Sequence, residues 1–404
     1  VGINSHIPEV VSFRAGARGV TLKSHEDFIG VAGEQEADVT LDHAELVFAG
    51  YGIQAPEYQW DDFKDVDVRG KILLVMNNDP DHSAAGDEAL FKGKTRLYYG
   101  RWSYKYEQAA RMGAAGAIII HTEPSAAYPW QVVQTSWTGE NFELPQEDEP
   151  RTRMKAWATE EASRRLAALG GFDLDELRAK AEKPDFKPVP LGVTLSLGIR
   201  SEIARKQTAN VIGKLDGSDA KLKSEAVFYT AHHDHLGIKD GVQPGEDAIY
   251  NGALDNASGC AALLGIAKAM ATQKPKRTVY FASVGAEEQG LLGSRYLALH
   301  PPLPAGRIAA DINMDGLSIW GRTRDLTVIG LGKSSLDGLI EARAKKQGRT
   351  VVGDQFPDKG SYYRSDQCSF ARVGVPGAYL SGGTEVIGKP EGMDKQQKED
   401  LVKT

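Results

Sequence analysis

The sequence predicts an α/β fold: a mainly parallel, twisted sheet sandwiched by helices, joined to a second, mixed α/β module. From residue 193 onward, short apolar runs alternate with longer helical stretches, the pattern of a parallel sheet with helices on both faces. Several of those runs stop abruptly in histidine or carboxylate residues, and strand carboxyl ends form the ligand crevice of open α/β sheets. Over residues 37–192 strands and helices also mix, and a Pro-rich stretch at 183–190 closes that part off.

The bulk numbers agree with two domains. The chain has 404 residues, more than one domain usually holds. Its net charge is −7, with acids and bases interspersed, which argues against a nucleic-acid partner. It has no apolar stretch long enough to span a membrane. Two cysteines, Cys260 and Cys368, make no disulfide framework. The chain begins Val1-Gly2 without an initiator Met or a signal peptide. That start looks like a processed chain, and the compartment expected for it is the periplasm or the cell exterior.

The elements follow in order. Residues 9–13 and 19–22 read as a strand pair within a short lead-in, and 44–53 and 70–76 as strands ending in turn residues. Residues 104–112 read as a helix and 113–121 as a buried strand, and 159–181 as two short helices broken at Gly170-Gly171. In the second half, 193–197, 209–215, 226–231, 277–284, 308–314, 326–329 and 375–380 read as strands, and 291–299 and 335–347 as helices. A further helix over 255–271 has Asp255 and Asn256 in its capping zone.

Three strands empty into reactive side chains: His232 and Asp234, Glu287 and Glu288, and Asp315, with Asp255 just after the first. His232 and Asp234 lie two apart, so continued strand geometry points them the same way, with Asp234 orienting the His232 region. His233 and His235 then point elsewhere. Alone, the Glu pair would be a solvated helix start, and either Asp a helix cap. Together they make a mixed N/O donor set that suits Zn²⁺, with Mn²⁺ and Co²⁺ also open. An Asp shared between two metals about 3.5–4 Å apart is the clamp used for hydrolysis.

The segments around His232, Asp255, Glu287-Glu288 and Asp315 resemble the two-zinc aminopeptidase family. That family also holds glutamate carboxypeptidase II and, as a non-catalytic cousin, the transferrin receptor. The resemblance runs from about residue 194 to 388, while residues 44–140 resemble the protease-associated domain often inserted in such enzymes. It implies a zinc exopeptidase fold in which 1–36 leads into the peptidase domain, 37–192 is the insert and 193–404 the peptidase domain, truncated at its carboxyl end. It implies that His232 and Asp315 bind one zinc, Asp255 bridges, Glu288 binds the second zinc, Glu287 is the general base and Asp234 supports the His232 side. Tyr362, Tyr363 or Arg364 fall where the family contacts substrate.

One feature departs from the family. Its final His ligand to the second zinc has no counterpart, since no histidine follows His300 and the tail from residue 388 is polar. That ligand is expected beyond Thr404, so two zincs are expected per full-length chain, with the second site incomplete here. The function implied is a metal-dependent exopeptidase, an aminopeptidase acting on peptides through a zinc-activated water. Its competitors are a one-zinc glutaminyl-cyclase-like acyltransferase and a non-catalytic receptor or binding protein on the same scaffold. Oligomeric state is not readable.

Overall fold

The computed structural model describes residues 1–81, 89–239, 241–243, 245–318 and 321–387; the polar tail from residue 388 lies outside the described residues. The chain forms two compact units, Val1–Lys206 with Pro357–Gly360, and Gln207–Phe356 with the residues from Ser361 on. Among the described residues, no helix is long and apolar enough to cross a membrane.

The first unit carries strands β1 (Gly2–His6), β2 (Val10–Ala15), β3 (Arg18–Lys23), β4 (Phe28–Ala32) and β5 (Asp38–Phe48), then a small ribbon of β6 (Gln54–Ala55) and β7 (Trp60–Asp61). They are followed by β8 (Ile72–Met76), β9 (Gly116–His121), β10 (Glu140–Phe142), β11 (Met154–Thr159) and β12 (Val189–Ala204). Its helices are α1 (Trp102–Arg111), α2 (Glu123–Ala126), α3 (Trp130–Ser136), α4 (Glu160–Leu169) and α5 (Leu174–Ala181). The central strands β5, β8, β9 and β11 run parallel. β8 and β9 are buried along their whole length, as parallel strands covered on both faces must be, hence their unbroken apolar sequence. The 16-residue β12 instead alternates buried and exposed along an antiparallel pairing with β5.

Here the structure redraws a boundary. The lead-in joins this first sheet, not the second unit: β1 pairs with β10 and β12, β2 with β3 and β12, and β4 with β11. Residues 193–204 likewise stay in β12, so the units divide after Lys206 rather than at 192/193. Alternation marks a strand and its buried face; it does not say which sheet supplies the partner.

The second unit holds β13 (Val211–Leu215), β14 (Ala226–His232), β15 (Thr278–Val284), β16 (Ile308–Asn313), β17 (Asp325–Ile329), β18 (Thr350–Gly353) and β19 (Gly377–Gly382). They form one sheet in the order β13-β15-β14-β16-β19-β17-β18. β15, β14, β16 and β19 are mutually parallel, while β13 and β17 enter antiparallel to their inner neighbours. Helices α6 (Ser258–Ala271), α7 (Leu292–Leu299), α8 (Asp337–Lys346) and α9 (Gln367–Ala371) complete it. Neither the four-residue β18 nor the five-residue α9 is long enough to show a period in sequence.

The order β15-β14-β16 puts consecutive crossovers on opposite faces. On one face Leu263 of α6 packs with Ala231 and Met314, beside Tyr229 and Phe281. On the other, Leu297 and Ala298 of α7 and Phe370 of α9 pack on Phe228 and Tyr280. Adjacent residues of one strand thus feed two cores, the period-2 consequence of the pleat. Phe228 is fully buried and stacks on Tyr280 with ring centroids 4.8 Å apart. Phe228→Ala is expected to destabilise the second unit by about 3–5 kcal/mol, read as a lowered urea midpoint; a change under about 1 kcal/mol would contradict this packing.

Candidate metal centre

The site is built by register. In the parallel pair β14/β15, His232 lies opposite Val284, so Glu287 and Glu288 come just past the level of His232. In β14/β16, Thr230 lies opposite Asn313, so His232 and Asp315, each two residues further on, end level. The ring of His232 is buried, with Nε2 3.3 Å from Asp315 Oδ1 and 3.0 Å from Asp255 Oδ1. Three strands adjacent in space but 83 residues apart in sequence at the extremes thereby meet at one point.

Asp255 is not a helix cap. Its backbone is extended (φ −104°, ψ 101°), and α6 begins only at Ser258. The capping is done by buried Asn256, whose Oδ1 accepts the Gly259 N–H at 3.0 Å and the Gly316 N–H at 3.3 Å, while its Nδ2 donates to the Met314 carbonyl at 3.0 Å. One amide thus ties the Asp255 turn to the Asp315 turn. The approach is so close that a Cβ on Gly259 would lie 2.3 Å from both Asn256 Oδ1 and the Met314 carbonyl, so only glycine fits there.

Asp234 acts on the glutamates more than on His232. Its two carboxylate oxygens accept the backbone N–H groups of Glu287 at 3.0 Å and Glu288 at 3.1 Å. The Nδ1 of His232 lies 3.1 Å from the backbone carbonyl of Asp234 instead. The strand ends at His232, and the same-side alternation expected for residue 234 ends with it.

That strand end also changes the reading of the other histidines. His233 does face away, with Nδ1 3.0 Å from Ser283 Oγ. His235, expected to point elsewhere, turns into the site, with Nδ1 2.7 Å from Glu288 Oε1. Ligand-capable atoms therefore fall into two groups, His232 with Glu287 and Asp315, and His235 with Asp255 and Glu288, each group within 4.8 Å. Asp255, 3.0 Å from His232, stands beside both.

The electrostatics fit a missing positive charge. Among the described residues, the ion pairs of these carboxylates are all with histidines. Burial, then the nearby charge of Asp366, pushes the Glu287 carboxyl up to about 9. Burial and then Asp255 also raise Glu288. Burial opposes the charge on His232, but hydrogen bonds with Asp255 and Asp315 outweigh it and push the ring up to about 12. The His232 hydrogen bond lowers Asp255. Carboxylates this crowded around two imidazoles, with no Lys or Arg drawn in, form a donor set that a divalent cation would satisfy, and its N/O composition suits zinc.

The segment expected to meet substrate is placed differently residue by residue. Lys333 Nζ donates to the Tyr363 hydroxyl at 2.9 Å and lies 5.0 Å over the Tyr362 ring, and Arg364 is exposed. The next residue, Ser365, reaches the site: its hydroxyl donates to Asp315 Oδ2 and accepts from Asn313 Nδ2 at 2.7 Å. Ser365, Asn256 and His235 are the residues that sequence reasoning did not place in the site. Two of them sit in quoted motifs, His235 within the His232 motif and Asn256 beside Asp255, so adjacency was the available signal.

Residues 210–400 match the model of Peptidase family M28. Over 102 residues, or 25% of this chain and 20% of the relative, this chain is 38% identical to a "Probable zinc metalloprotease" of Pyrenophora tritici-repentis. It is 33% identical over 208 residues to a "Glutamate carboxypeptidase 2 homolog" of Caenorhabditis elegans, 48% of this chain and 24% of that one. The chain thus spans a quarter or less of these relatives' length. Among solved structures, the aminopeptidase from Aneurinibacillus sp. strain AM-1 aligns with TM-score 0.42 and 19% identity, covering 99% of this chain and 80% of that one.

Two outcomes are expected of the site as a folded object. Asn256→Ala removes three buried hydrogen bonds and should cost about 1–3 kcal/mol in chemical denaturation; an unchanged midpoint would show that the amide ties nothing. The second concerns pH. In cation-free protein Glu287 titrates at about 9, above its ordinary 4.5, so the unfolded chain loses that proton first. The stability it contributes is fully present below about 4.5 and is lost as pH rises through about 9. His232, raised from 6.5 to about 12, has the same sign at higher pH. With chelator present, the urea midpoint should fall between pH 5 and 9, and Glu287→Gln should flatten that fall. An identical slope in both proteins would count against the burial argument.

Proposed function

We propose that the chain is a zinc metallopeptidase that removes residues from the free amino terminus of peptides. The observation that carries this is the Asp255 carboxylate standing beside two groups of N/O donors at the ends of adjacent parallel strands, with the half-buried Glu287 carboxylate among them. The M28 match, and the metalloprotease and carboxypeptidase names of the two relatives, support metal-dependent peptide hydrolysis.

His232 and Asp315 would hold one zinc and Glu288 the other, with Asp255 shared. When bound, zinc supplies Lewis-acid polarisation of the scissile carbonyl and acidifies water. The chain's own residues do the rest. Glu287 takes the proton from the attacking water and returns it to the leaving amine. Asp234, through its two backbone contacts, fixes where Glu287 and Glu288 project. Ser365 holds one Asp315 oxygen, leaving the other toward His232. Exposure rises from 1% at the His232 side chain to 50% at Asp255, so substrate enters on the Asp255 side.

Hydrolysis of aminoacyl anilides should vanish with a chelator and return with Zn²⁺. Peptides with an acetylated amino terminus should be poor substrates. Glu287→Gln should retain zinc and lose at least about 100-fold in kcat. Full activity in that variant would remove Glu287 from the base role, and equal cleavage of acetylated peptides would remove the aminopeptidase reading.

A further inference from the structure

We infer that Asp311 is a positioning residue for the metal centre: a buried carboxylic acid whose proton starts a one-way chain of hydrogen bonds through Thr230, Asn313 and Ser365 to the Asp315 carboxylate. The direction of the chain follows from the protein alone, and its bearing on a bound cation rests on the zinc reading above.

Donor and acceptor roles follow from one fixed end. Gln367 Nε2 donates to the Tyr362 carbonyl at 2.7 Å; a carbonyl only accepts, so Gln367 Oε1 is left as an acceptor. One side-chain atom of Asn313 lies 3.1 Å from that oxygen and 2.7 Å from Ser365 Oγ, and must therefore be the donor Nδ2. Asn313 Oδ1 then faces Thr230 Oγ1 at 3.0 Å and can only accept. The Thr230 hydroxyl has one proton and two oxygen neighbours, the second being Asp311 Oδ1 at 3.0 Å. With that proton on the Asn313 side, Asp311 supplies the other bond, which a carboxyl does only when protonated. The opposite assignment, Thr230 donating to an ionised Asp311, would leave the Thr230 and Asn313 oxygens 3.0 Å apart with no proton between them. Ser365 receives from Asn313 and passes its own proton to Asp315 Oδ2.

The surroundings favour the neutral acid. Asp311, Thr230 and Asn313 are fully buried and Ser365 nearly so. The titratable neighbours of Asp311, Asp366 and Tyr362, bring no positive charge, and among the described residues no cation pairs with it. Burial, with the charge of Asp366 adding to it, pushes the Asp311 carboxyl well above the usual carboxylate range. The strands supply the path. Asp311, Asn313 and Asp315 recur at every second residue along β16 and just past its end, and β14 lays Thr230 opposite Asn313. With every donor pointing the same way, the Ser365 proton stays on Asp315 Oδ2, and Oδ1 remains toward His232 at 3.3 Å.

Infrared difference spectra of the full chain, wild type against Asp311→Asn at neutral pH, should show a carboxylic-acid C=O stretch that the variant lacks. Absence of that band would overturn the proton assignment. Zinc affinity, measured by competition with a chromogenic chelator and with urea denaturation to confirm folding, tests the positioning role. Thr230→Val removes one hydroxyl that bonds to Asp311 and Asn313, and should weaken zinc about 10-fold, the low end for losing an outer partner of a ligand. Ser365→Ala should do the same. The double variant should bind no more weakly than the weaker single one, since both changes cut one chain; additive losses, as independent sites give, would overturn the chain. Asp311→Asn keeps a donor in place and should bind zinc like wild type, whereas Asp311→Leu should behave like Thr230→Val. A lowered urea midpoint with unchanged zinc affinity in Thr230→Val would reduce the chain to a structural one and overturn the positioning role. No zinc bound by wild type would overturn the metallopeptidase reading, and the infrared band would still decide the proton on Asp311.

Discussion

The second unit depends on a repulsion. Three parallel strands end side by side, and the residues just past those ends and at the start of α6 are acids: Asp234, Asp255, Glu287, Glu288 and Asp315. Crowding like charges in a partly desolvated site costs free energy unless protons, partners or cations compensate. The protein spends a large part of its local bonding on this: Asp234 on two backbone N–H groups, Ser365 on Asp315, His232 between Asp255 and Asp315. The surrounding core offsets that cost through the faces packed by α6 on one side and α7 and α9 on the other.

Geometry then divides labour between neighbours in sequence. Glu287 and Glu288 are adjacent, yet one falls with His232 and the other with His235. The turn before them helps: Ala286 takes a left-handed φ of 57°, uncommon for a residue with a side chain, and the chain leaves β15 at a sharp angle. Asp234 then pins both amides, so the two side chains diverge from a fixed base. The two side chains can reach different donor groups because the backbone of their short segment is held.

Much of this was legible from residue order. Strand and helix positions in the second unit followed from apolar runs of the right length, and the ligand crevice from which runs ended in His, Asp or Glu. What escaped has physical causes. The first 36 residues alternate as strands do, but alternation carries no address, and they joined the first sheet. His235 escapes because β14 ends at His232 and the strand's period does not continue past it. Asp255 falls in a capping zone as well as in the donor set because capping residues and ligands are the same amino acids; the amide beside it does the capping. Ser365 had no signal beyond its neighbours, since a single hydroxyl acts only through what it touches.

The shared position of Asp255 has a consequence for how such a centre would respond to metal supply. A carboxylate common to two cations makes their occupancies thermodynamically linked, and the linkage is reciprocal: whatever factor the first cation applies to the affinity of the second, the second applies to the first. The fractions of molecules with zero, one and two ions are then not independent. If the coupling is favourable, scarcity thins the population of loaded molecules instead of half-loading all of them; if mutual repulsion prevails, half-loaded molecules persist over a wide range of concentration. Such coupling would act through one side chain, half exposed at the mouth of the site.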